Sequence, residues 1–78
     1  MAIEISELNQ LQSDYKSAVE EWIAAIRHDE SLASAATHSE TRIDEWEEAG
    51  FAEEAAREHA KAAKSAYEEA LRQEFFNF

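Results

Sequence analysis

The chain has 78 residues, 18 acidic and 7 basic, for a formal charge of −11 with its three histidines neutral. That length holds one domain, residues 1–78, near the lower size at which a single core sustains itself. With no cysteine there is neither a disulfide framework nor a thiolate metal site. With no proline and one glycine, a turn-rich β fold and a loop-built active site are both disfavoured.

The apolar share of 45% includes sixteen alanines, which leaves nineteen larger apolar residues to build a core. Alanine is the best intrinsic helix former and glutamate, at fifteen against three aspartates, is also favourable. Aromatic and branched residues recur at regular spacing, unlike a disordered acidic tail. No uncharged run is long enough to cross a bilayer, and the N-terminus lacks a basic-then-apolar leader pattern. A soluble, cytoplasmic, all-α protein is the expectation.

The first predicted helix covers about residues 6–28. Leu8, Leu11, Tyr15, Ala18, Val19, Trp22, Ile23, Ala25 and Ile26 recur in steps of three and four, which lays one apolar stripe along a helix. Ser6 suits an N-cap, Glu4 and Glu7 suit the positive dipole end, and Arg27 and His28 suit the negative one. A break is expected at Asp29–Ser31, because an aspartate on the apolar stripe is costly and Asp29 or Ser31 can cap a new helix.

The second predicted helix, about residues 30–49, carries Leu32, Ala35, Ala36, Ile43 and Trp46 on one face. Gly50 is expected to end it in the left-handed conformation, with Trp46 and Phe51 as the hydrophobic pair of a Schellman motif. The third, about residues 52–75, presents Ala52, Ala55, Ala56, His59, Ala63, Ala66 and Ala70. Small side chains there favour close helix approach. Glu53–Arg57 and Glu68–Arg72 have the favourable i,i+4 order.

Short connections between three helices predict an antiparallel up-down-up bundle. The alternative is a long N-terminal helix plus a shorter one forming a dimeric helical hairpin or coiled coil, since the heptad runs from Leu8 to Trp46 with only Asp29 out of place. In the bundle, Ile3 and Ile5 fall near the Gly50 bend and the terminal phenylalanines near Ile26 and Leu32. Nineteen large apolar residues make a thin core, so self-association is expected.

Ala63-x-x-x-Tyr67-x-x-Ala70-Leu71 and Ala18-x-x-x-Trp22-x-x-Ala25-Ile26 each resemble part of the second helix of a tetratricopeptide repeat. The first-helix pattern and closing proline of that repeat are missing, and the likeness reads as convergent small-large packing.

The histidines match no metal motif. Three positions before His28, His38 and His59 stand Ala25, Ala35 and Ala56, so neither Glu-x-x-His nor His-Glu-x-x-His occurs. His59, on the apolar face, is expected as a neutral imidazole bonded to another helix. Ser13, Ser17, Ser31, Ser34, Ser39, Thr37 and Thr41 fall on predicted helices or caps without a fixed acidic or histidine companion, and no glycine-rich phosphate cradle exists. The chain is therefore expected to be non-enzymatic and without a cofactor.

Charge is the better guide. Folding back at Gly50 pairs Asp44 with Arg57 and Glu40 with Lys61, and gathers Glu45, Glu47, Glu48, Glu53 and Glu54 into an acidic pole with nothing basic nearby. Such a pole keeps the protein soluble or docks a basic protein partner by electrostatic steering. Direct nucleic-acid binding is disfavoured by the sign of charge. Phe75, Phe76 and Phe78 either complete the core or form an exposed contact patch. The reading is a self-associating interaction module. The alternatives are a helical carboxylate or histidine metal site with hydrolytic or redox chemistry, and an acidic inhibitor that mimics nucleic acid towards a basic partner.

Overall fold

The computed structural model describes residues 4–33 and 40–76. They form two α-helices, α1 (Ile5–Ala33) and α2 (Glu40–Phe76), packed antiparallel as a hairpin. The three-helix bundle is thus corrected to two helices, and the hairpin alternative fits, with the second helix the longer.

Both expected breaks are absent. At Asp29 the helix continues: Ser31, expected as a cap, instead donates from Oγ to the His28 carbonyl at 2.7 Å, a bond made within the helix. At Gly50 it also continues, so Trp46 and Phe51 are no Schellman pair and are 49% and 76% exposed. A glycine inside a helix costs about 1 kcal/mol relative to alanine. Stopping there would leave two more helix ends with unpaired backbone groups. The α2 seam runs from Ala49 past Gly50 in one phase. Ala49, Glu53, Ala56, Ala60, Ala63, Tyr67, Ala70 and Glu74 alternate steps of four and three, and all are buried or half-buried.

The chain reverses between Ala33 and Glu40. Thr37, His38 and Ser39, with the Ala35–Ala36 pair read as helical, lie outside the described residues, as do Ile3 and Phe78. The start of α1 falls one residue before the expected cap, where the Glu4 carbonyl accepts from the amides of Glu7 and Leu8 at 3.0 and 3.1 Å.

On α1 the matching stripe is Leu8, Leu11, Tyr15, Ala18, Trp22, Ala25, Asp29 and Leu32, again in alternating steps of three and four. This 3.5-residue repeat keeps one face of each helix on the other along the whole length. The hairpin is a rod with extents of 57 × 17 × 12 Å. Its radius of gyration is 17.5 Å, whereas a globular chain of this length would have about 11.5 Å.

The core is made of methyl groups. Ala18, Ala49, Ala60 and Ala70 are the buried hydrophobic residues among those described, and no large side chain is fully enclosed. Alanines let the helices approach closely, and the larger seam residues flank them half-exposed.

A cβ atom placed on Gly50 would meet nothing within 4 Å. Gly50→Ala should therefore stabilise the protein by about 1 kcal/mol, read as a higher Tm in thermal unfolding. A glycine ending a helix in the left-handed conformation would give the opposite sign.

Candidate functional site

Continuity at Gly50 rearranges the expected acidic pole. Asp44 and Arg57 now stand on one helix, about 20 Å apart along its axis, and Glu40 and Lys61 about 30 Å apart. The five glutamates do not share one environment. Glu53 is half-buried on the seam, where its Oε1 accepts from Trp22 Nε1 at 3.2 Å, tying the two helices. Glu54 pairs with Arg57 at 3.3 Å, so the pole is not without a base. Arg57 also meets Glu58 at 3.5 Å rather than the expected Glu53. Glu45, Glu47 and Glu48 remain exposed on the turn-proximal part of α2.

The aromatic tail is also relocated. Leu32 shares a groove with Glu45 and Ala49, and Leu11 shares one with Ala66. Phe75 and Phe76 therefore lie at the open end, beside the start of α1, and not near Ile26 and Leu32. They are 70% and 66% exposed, which places them on the surface and not in a core. Ile5 is likewise at the open end, far from Trp46.

The two flanks of the rod differ in chemistry. One is acidic and alanine-rich. Its grooves are lined by His28, Leu32, Glu45, Glu48, Ala49 and Ala52, and by Leu11, Asp14, Ser17, His59, Ala62, Ala63 and Ala66. Across it His59 Nδ1 lies 3.4 Å from Glu21 Oε2, with both side chains more than half exposed. The expected tie from His59 to another helix is present, but on the surface rather than in the core.

Ser17, His59 and Asp14 share one groove although they are far apart in sequence. No hydrogen bond joins Ser17 to His59 among the described residues. The backbone amides around them are engaged inside helices. No group of three or more His, Cys, Asp or Glu side chains converges on a point among the described residues. Nor is any described helix long and apolar enough to cross a membrane.

The opposite flank is apolar, and the sequence reading did not separate it from the seam. Asp29 shares a groove there with Ile43, Trp46, Glu47 and Gly50. At 100° per residue, Val19, Ile23 and Ile26 lie on the side of α1 away from Glu21 and His28, and so continue this flank. Ile23 and Ile26 are each 41% exposed and Ile43 57%. Towards the open end the flank passes Arg57 and Lys61 to a groove lined by Glu68, Leu71, Arg72, Phe75 and Phe76. The sequence reading placed Val19, Ile23 and Ile26 in one stripe with the seam residues, whereas Ile23 and Ile26 lie on the exposed flank beside it. Asp29 Oδ1 is buried here without a hydrogen-bond partner.

Comparison with family models, with curated proteins and with solved structures finds no match to this chain.

Removing the carboxylate of Glu53 leaves the Trp22 indole N–H partly buried and unpaired. Glu53→Ala should cost about 1–2 kcal/mol in denaturant unfolding and shift the tryptophan fluorescence. His59→Ala breaks an exposed pair and should change stability by only a few tenths of a kcal/mol.

Proposed function

We propose that this chain is a non-enzymatic helical interaction module that self-associates through its apolar flank and offers the acidic, turn-proximal part of α2 to a basic protein partner. One observation carries the reading. Ile23, Ile26, Ile43 and Trp46 lie exposed on one side of a hairpin whose buried residues, among those described, are all alanines. Single exposed apolar residues are ordinary, but a contiguous row of large ones marks a contact surface.

Surface area supports the same view. The hairpin exposes 6025 Å², against about 4,800 Å² for a compact monomer of its mass. The surplus of about 1,200 Å² per chain lies in the range that each partner buries in a stable dimer. Glu45 and Glu48 line a groove on the flank away from the apolar one, where they would steer a basic surface and set its orientation more than its affinity.

Light scattering on the purified protein tests this reading: the mass should be twice or more the 8.9 kDa of one chain. Trp46→Asp together with Ile23→Asp should reduce it to the monomer. A monomeric wild type at micromolar concentration would overturn self-association.

A further inference from the structure

We propose that the apolar flank is covered by a second copy of this chain laid antiparallel, the turn end of each hairpin against the open end of the other; this rests on the self-association argued above. The charge order along α2 chooses the direction. Residues 40–56 hold seven acidic side chains and one basic, while residues 57–76 hold four of each. All four of those bases, Arg57, Lys61, Lys64 and Arg72, are spaced so that helical periodicity sets them on the apolar flank, opposite Ala52, His59, Ala62 and Ala66.

A two-fold axis across the rod stacks α2 on the second copy's α2 with their middles aligned. Glu47 then falls beside the second copy's Arg72, Glu54 beside its Lys64, and Glu58 beside its Lys61. The apolar residues match as well: Ile43 and Trp46 of one copy meet Leu71 and Phe75 of the other. A two-fold axis along the rod does the reverse. It gathers both acid-rich ends together and sets Glu30 against Glu47 and Lys16 against Lys61.

The present partners of these bases leave them available. Within the chain, Arg72 reaches Glu68 and Glu69 at 3.7 Å, Lys64 reaches Glu68 at 4.0 Å, and Lys61 reaches Glu58 at 3.5 Å. These are exposed, loosely held pairs that contribute little and can be re-formed across an interface. Interhelical charge pairs flanking an apolar seam are the usual determinants of helix orientation in such assemblies.

The chain has no cysteine, so single introduced thiols report distances between copies without interference. Glu47→Cys and Arg72→Cys, both at exposed positions, are purified separately, mixed and treated with a short bis-maleimide. The expected product is the mixed Glu47→Cys–Arg72→Cys dimer, with neither variant linking to itself. Self-linking of Glu47→Cys, with a dimeric mass in light scattering, would overturn the antiparallel arrangement and leave self-association standing. A monomeric mass with no linked product would overturn both. As a second readout, Glu47→Arg or Arg72→Glu alone should weaken the dimer about tenfold, and the two in one chain should recover most of that loss. Equal weakening by the single variants with no recovery in the double variant would also overturn the pairing.

Discussion

The structure depends on how little two helices can enclose between them. A pair of parallel cylinders has one line of closest approach, and only side chains on that line are covered on all sides. In this hairpin the line is occupied by Ala18, Ala49, Ala60 and Ala70. Their small size brings the helices together, and the same closeness leaves no volume for a large side chain to be enclosed. Trp22, Leu11, Tyr67 and Leu71 flank the line half-buried, and anything a further step around the helix is on the surface.

From that constraint the two flanks follow. One carries carboxylates, small residues and the Glu21–His59 bridge, and is at ease in water. The other carries isoleucines, a tryptophan, a buried unpartnered carboxylate oxygen on Asp29, and the bases of α2. A polar atom left unpaired costs about 1–3 kcal/mol, and an exposed row of branched and aromatic side chains adds to that cost. Covering that flank is the role we propose for a second copy, and Glu45 and Glu48 on the other flank would remain outside it as a docking surface.

Gly50 illustrates how a local signal is outweighed. Glycine followed by phenylalanine, four residues after a tryptophan, carries the pattern of a helix end, but the local cost of keeping glycine helical is only about 1 kcal/mol. The uninterrupted seam from Ala49 to Glu74 outweighs it. The reversal instead falls where ten successive residues, Ala33 to Arg42, supply no large apolar side chain to hold a helix on its partner. Asp29 is the converse case: its cost as a buried carboxylate is real, yet it is confined to one atom and does not break the helix.

The sequence by itself determined the helical class, the apolar stripe of α1, the small residues of the seam and the sign of the charge, because each depends on residue type and on periods of three and four. Only the tertiary structure decided where the chain turns, that Glu53 faces Trp22 rather than Arg57, and that Phe75 and Phe76 lie at the open end. Those depend on which residues of α2 stand opposite which residues of α1. That register is set by long-range packing of the whole seam, and moving the turn from Gly50 to the segment before Glu40 changes every pairing that follows from it.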